Sequence, residues 1–261
     1  MGYTSPCAAS HTNWNYSDMK KFLLRFSYDG HPFHGWQIQK DTLTIQHVME
    51  DGLSKIFKTD TPLVVSGRTD AGVHALNQYA HFEARTRMKP ENIIAAINSI
   101  IHKGIYIKDC SLVDDAFHAR FSAKKRTYMY KIMKEFSPFE RLYASYFPHR
   151  RFSLPLLQRA SSHLLGTHDF NVFSHDTSQL SSTLCTVESA DWTETDIHFI
   201  FTICANRFMH NMVRRIVGTL SHISHEGLEP DLIDKILSTQ DYNLLGMTAP
   251  PQGLYLFEVI Y

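Results

Sequence analysis

The spacing of apolar residues along this chain changes repeatedly, and each change marks a new element. An apolar-rich run at 21–28 predicts a strand closed by a turn at Asp29-Gly30. Ile45, Val48, Met49, Leu53, Ile56 and Phe57 then recur at i, i+3, i+4 spacing and predict a helix over 44–58. A β-branched strand at 62–66 and an alternating strand at 76–84 flank a polar, glycine-bounded loop. Pro90 opens a second helix through Ile93, Ile94, Ile97 and Ile101, because its missing N–H costs nothing in a first helical turn. A strand at 104–113 follows, so the order is βαββαβ, a split ferredoxin-like unit.

The same order recurs without any residue-level repeat. A strand at 126–134 leads to a helix at 154–165, opened by Ser153 and Pro155 and stopped by Gly166. Strands at 184–194 and 197–205, helices at 207–224 and 231–238, and a strand at 254–260 complete the pattern. The fold class expected is α+β, with two ferredoxin-like (βαββαβ) halves forming an extended antiparallel sheet with a central cleft. The expected division is a disordered tail at 1–18, a first half at 19–117 and a second half at 118–261.

Composition narrows the setting. Cys7, Cys110, Cys185 and Cys204 show no C-x-x-C spacing, so they read as reduced thiols, neither a disulfide frame nor a zinc site. The absence of a membrane-length apolar run and of a signal-peptide core leads to the expectation of a cytoplasmic protein without membrane attachment. No metalloprotease helix, phosphate loop or dinucleotide fingerprint is present, and the histidines show no consistent pairing, so no metal is expected.

The formal net charge is zero, but its distribution is uneven. Residues 118–151 hold nine Lys/Arg against two Asp/Glu, while residues 152–261 hold five against twelve. The basic segment is interleaved with Phe117, Phe121, Tyr128, Tyr130, Phe136 and Phe139. Basic charge attracts phosphate and aromatic faces stack on bases, so this segment fits a nucleic-acid partner. A solvated strand pair with core aromatics is the plainer reading for most of these rings.

Five stretches carry candidate chemistry. Gly67-Arg68-Thr69-Asp70-Ala71-Gly72-Val73-His74-Ala75 places one arginine and one aspartate in a loop between strands, a good place from which to aim a carboxylate. Its alternative is a tight turn capped by Asp70 and satisfied by Arg68. Lys124-Lys125-Arg126-Thr127-Tyr128-Met129-Tyr130 alternates so that Arg126, Tyr128 and Tyr130 share one strand face. Arg207, His210, Asn211 and Arg214 fall at i, i+3, i+4, i+7, a polar helix face able to hold a carboxylate, or an ordinary exposed helix side. Gln252-Gly253-Leu254-Tyr255-Leu256 begins the last strand, and the polar-aromatic loop from Tyr28-Asp29-Gly30 to Gly35-Trp36-Gln37 follows the first.

Taken together, these stretches with Phe117-His118-Ala119-Arg120-Phe121-Ser122-Ala123 and Met212-Val213-Arg214-Arg215-Ile216-Val217-Gly218 resemble the tRNA pseudouridine(38–40) synthases, the TruA family, from about residue 20 to 261. The resemblance implies an isomerase that converts uridine to pseudouridine in the anticodon stem-loop of tRNA, without a cofactor and as a homodimer. It implies that Asp70 is the catalytic aspartate, paired in bidentate fashion by Arg214. Arg68 then contacts the extruded nucleotide or takes its place, Tyr128 stacks on the uracil, and Leu254 lines the base pocket. Lys124, Arg126 and His210 are assigned to the RNA, and the acidic last third is expected to face away from it.

Overall fold

The computed structural model describes residues 19–175, 178 and 181–261. The tail expected at 1–18 lies outside the described residues. The strands are β1 (Lys20–Tyr28), β2 (Val64–Val65), β3 (His74–Ala84), β4 (Ile105–Val113), β5 (Lys125–Met133), β6 (Gly166–Asp169), β7 (Leu184–Glu194), β8 (His198–Ala205) and β9 (Leu254–Ile260). The helices are α1 (Ile45–Phe57), α2 (Pro90–Ile100), α3 (Leu154–Ser162), α4 (Met212–Glu226) and α5 (Leu232–Thr239).

All nine strands belong to one sheet in the order β4-β1-β3-β9-β5-β8-β7-β6, with β2 also paired to β3. The pairings are antiparallel except β3 with β9, which run parallel through His74↔Tyr255 and Ala75↔Leu256. The expected α+β fold with an extended, mostly antiparallel sheet is found, and this seam is the parallel pairing among its named strands. The partner edge of β3 is shared: β9 takes its start, and β2 takes Ala80 and His81 further along. Loop residues His74 and Ala75 thus belong to the strand, and they are the two that join the sheet together.

Two apolar cores form. Phe22, Leu24, Phe26 and Tyr28 alternate inward from β1 and meet Ile45, Met49 and Leu53 of α1 and Ile93 and Ile97 of α2. The second core gathers Phe170, Phe173, Phe201, Ile216, Val217 and Leu220. Val73 packs into the second core, Leu256 and Val259 pack into the first, and Tyr128 touches both. Burying one such side chain contributes about 1.5–3 kcal/mol, so the exchange couples the two parts of the chain.

The start of α4, the end of α3 and the presence of β6 also differ from the periodicity. The helix expected from 207 begins at Met212, because Asn211 sits in the left-handed region at φ 61° and ends the irregular run before it. A hydrophobic stripe cannot report a single backbone reversal, and Asn is among the residues that tolerate one. The four-residue β6 is too short for a period-2 signal, and α3 stops at Ser162. Among the described residues no helix is long and apolar enough to cross a membrane.

Candidate active site

The 67–73 loop is braced by the loop between β1 and α1. Gly35 adopts φ +84°, and a Cβ there would lie 2.9 Å from the Thr69 carbonyl oxygen and 3.0 Å from the Ala71 nitrogen, so only glycine fits. The Trp36 N–H donates to the Thr69 carbonyl at 3.0 Å, and the Val73 N–H closes the turn on the Asp70 carbonyl at 3.2 Å. Inside the loop, the Tyr28 and Thr69 hydroxyls share a hydrogen bond of 2.7 Å. Gln78 donates to the Gly67 carbonyl at 2.9 Å and accepts from the Ser66 hydroxyl at 2.6 Å.

Asp70 faces residues from the far part of the chain. Arg214 Nη1 lies 3.3 Å from Asp70 Oδ2, and His210 Nε2 lies 3.3 Å from Asp70 Oδ1. The carboxylate is a little over a quarter exposed and the guanidinium less than a fifth, so the pair is shielded yet reachable. The pairing is not bidentate. Arg214 Nε donates to the Ala249 carbonyl at 2.7 Å, and Nη1 also donates to Asn211 Oδ1 at 2.8 Å. Those two bonds fix the plane of the guanidinium and leave one nitrogen toward Asp70.

The helical-face reading of Arg207, His210, Asn211 and Arg214 is therefore corrected in its geometry. Only Arg214 lies on α4; His210 and Asn211 reach the same place from the irregular run before it. Ala249 comes from a segment pressed onto α4 at Gly218, where a Cβ would lie 1.6 Å from the Met247 carbonyl oxygen. A main-chain acceptor such as Ala249 has no side-chain signature, so sequence reasoning had no handle on it. The neighbouring prolines tie this segment to the site: Pro250 accepts from the Tyr130 hydroxyl at 2.7 Å, and Pro251 lies against Gly72.

Two phenols stand beside the aspartate. Burial pushes Tyr28 up to about 12, and the Asp70 charge adds to the effect. Burial also raises Tyr128, with Tyr28 and then Asp70 pushing the same way. Both rings stay protonated near neutral pH. Tyr128 meets Phe208 edge-on at 5.0 Å between centroids.

The remaining sequence candidates separate into three groups. Arg68 and Lys124 are exposed, and among the described residues neither side chain has a hydrogen bond or ion pair. Leu254 is buried in the second core, opposite Tyr130 in the β5–β9 ladder. Arg126 is partly buried, and its guanidinium donates to four carbonyl oxygens: Ser66 at 2.9 Å, Arg120 at 2.8 Å, Asn206 at 3.1 Å and Ala123 at 3.3 Å. The basic segment is also partly neutralised, since Lys125 and Lys134 pair with Glu188 and Glu194 of β7 at 2.6 Å each. Part of the acidic last third thus lies against the basic segment instead of being segregated from it.

The family model described as tRNA pseudouridine synthase matches residues 26–122 and 160–261. These spans contain Asp70, Arg68, His210, Arg214 and Leu254; Lys124, Arg126 and Tyr128 fall between them. The chain is 38% identical over 245 residues to the tRNA pseudouridine synthase A of Thermoanaerobacter sp. (strain X514), covering 93% of this chain and all of the relative. It is 39% identical over 250 residues to that of Limosilactobacillus reuteri (strain DSM 20016), covering 93% and 97%. With the enzyme of the same name from Bacillus subtilis (strain 168) it shares 38% identity over 239 residues, covering 90% and 96%.

Proposed function

Given that the chain belongs to the tRNA pseudouridine synthase family, we propose that it isomerises uridine to pseudouridine at positions 38, 39 and 40 of the tRNA anticodon stem-loop, with Asp70 as the catalytic carboxylate. The observation that carries this reading is the Asp70–Arg214 pair, formed at 3.3 Å between residues 144 apart in the chain. A lone turn aspartate has no need of such a partner. Here the loop geometry and α4 bring a shielded carboxylate to a cationic group that other bonds hold in place.

The chemistry asked of the site is modest. The bond between uracil N1 and ribose C1′ breaks, the base turns, C5 bonds to C1′, and the C5 proton is lost while N1 gains one. Atoms and electrons balance without a redox partner or a leaving group. A carboxylate beside C1′ is suited to stabilise or capture the electron-poor carbon as the base departs. Arg214 holds that carboxylate in place. Tyr128 offers a ring face and an O–H donor; burial opposes the phenolate that direct removal of the C5 proton would require. Exposed Arg68 and Lys124 are free to meet the RNA, and His210 lies between Asp70 and solvent.

A base within a stem must leave the stack first, at a cost of a few kcal/mol. Contacts to RNA shape and backbone offset that cost and suit several adjacent targets. A homodimer, joining two basic segments on one tRNA, completes the proposal. Incubating the purified protein with unmodified tRNA transcripts and mapping pseudouridine by mass spectrometry tests the reading. Modification confined to the anticodon stem-loop is expected. An unmodified anticodon arm beside modification elsewhere would assign the enzyme another target, and no modification at all would favour a tRNA-binding module.

A further inference from the structure

Arg126, one of the basic residues assigned to the RNA, turns its guanidinium onto the protein's own backbone, and its four hydrogen bonds reach three separate stretches of chain. Ser66 immediately precedes the Gly67–Val73 loop and is itself pinned, by its own hydroxyl on Gln78 and its N–H on the Tyr79 carbonyl at 2.8 Å. Arg120 and Ala123 belong to the connection between β4 and β5. Asn206 opens the irregular run that carries His210 and Asn211 toward Asp70, and its side chain accepts from the Thr186 N–H at 3.0 Å.

A guanidinium has five N–H donors in a planar fork. Four of them are engaged here, so little donor capacity is left for a phosphate. The four acceptors are backbone carbonyls on both sides of the site, and each would otherwise need another partner. The group therefore links the base of the Asp70 loop to the base of the segment that presents His210, Asn211 and, one turn later, Arg214.

We propose that Arg126 is a positioning residue: by bonding the Ser66 and Asn206 carbonyls at once, it sets the spacing between the two walls of the site and so the seating of Asp70 against Arg214. It acts through the backbone and does not contact the RNA. This inference rests on the reading of Asp70 as the catalytic carboxylate. Lysine cannot replace it, because one ammonium with three donors at a single point cannot span acceptors on opposite walls. A phosphate contact would behave in the opposite way, since lysine keeps the charge.

The test compares Arg126→Lys, Arg126→Gln and Arg126→Ala with wild type and with Lys124→Ala, using a tRNA transcript bearing a single target uridine. Three quantities are read: the single-turnover rate at saturating tRNA, the tRNA Kd across a salt series, and Tm. The proposal expects the saturating rate of Arg126→Lys to fall at least ~10-fold, about 1.4 kcal/mol of barrier, with Kd and salt slope within twofold of wild type. A saturating rate kept in Arg126→Lys overturns it, whatever happens to Tm or Kd. A salt slope reduced by roughly 0.7–0.9 in Arg126→Ala, with the rate kept, would return Arg126 to the RNA. Where Arg126→Ala does not fold, the lysine and glutamine variants decide. Asp70→Asn in the same assay separates the two readings: if it turns over normally, the catalytic assignment fails on its own account, independently of the outcome at Arg126.

Discussion

The two walls of the site are built by different means. The first, residues 67–73, is held by close backbone approaches and a buried side-chain network around Tyr28, Ser66, Thr69 and Gln78. Gly35 makes its closest contact possible. The second, residues 206–211, is an irregular run that ends in a left-handed asparagine and depends on long side chains, Arg126 at its base and Arg214 beyond its tip. A wall made of backbone contacts tolerates little change in shape, whereas a wall held by side chains depends on a few donors. Apart from Asp70 and the exposed Arg68, substitutions that loosen the first wall should therefore act mainly through stability, and those on the second mainly through activity.

The largest effect on this contrast is expected at Arg214. Arg214→Ala leaves Asp70 without its cation and strips the Ala249 carbonyl and Asn211 of their partner. We expect turnover to fall by ~10²-fold or more, about 3 kcal/mol of barrier, and stability to drop by roughly 1–3 kcal/mol. Single-turnover rates and urea unfolding measure the two. A variant that loses stability but keeps its rate would reduce Arg214 to a structural residue.

Gly35→Ala comes next and tests the first wall. Its Cβ would meet main-chain atoms at 2.9 and 3.0 Å with φ at +84°. The strain should cost about 1–3 kcal/mol, seen as a lower urea midpoint with activity largely kept below the transition. An unchanged midpoint would mean that the loop has slack.

The third prediction concerns pH. His81 is buried beside the 118–123 loop, and its Nδ1 accepts the Ala119 N–H at 3.0 Å. Burial, reinforced by the His118 and Lys21 charges, lowers it to about 4. The unfolded chain, near 6.5, binds more protons between those values, so stability should be fully present above about pH 6.5 and fall as the pH drops toward 4. His74, also buried, shifts in the same direction. The His81 share should be roughly 1–3 kcal/mol. Melting curves from pH 7 to 5 should slope less in His81→Asn, which keeps an acceptor but cannot titrate. An identical slope would assign the acid sensitivity elsewhere.

The smallest effect on the fold is expected at Arg68. With no partner among the described residues, Arg68→Ala should change stability by less than about 0.5 kcal/mol. Its effect, if the RNA role holds, should appear only in turnover or tRNA binding. Loss of stability there would reveal an internal role.

The contrast between the walls also explains what was legible in the sequence. The first wall announced itself because glycines and a polar loop between two apolar runs leave a local pattern. The order of strands and helices was readable for the same reason, since β1, α1 and α2 each carry a clean period. The second wall was misread as helix because Met209, Met212 and Val213 continue the apolar stripe straight through the reversal at Asn211. The same residues were nonetheless gathered near Asp70, so the pattern was right about company and wrong about backbone. Charge and strand alternation point Arg126 to the RNA, and they say nothing about its bonds to carbonyls sixty and eighty residues away in sequence. The parallel seam was likewise hidden, since it consists of two residue pairs joining distant segments.

The central claim, that Asp70 performs the chemistry while the walls only aim it, is tested most directly by single-turnover pseudouridine formation with Asp70→Asn, alongside tRNA binding by the same protein. The substitution keeps shape and removes charge. The account predicts a rate loss above ~10³-fold, roughly 4 kcal/mol of barrier, with tRNA affinity close to wild type. Wild-type turnover in Asp70→Asn would contradict it.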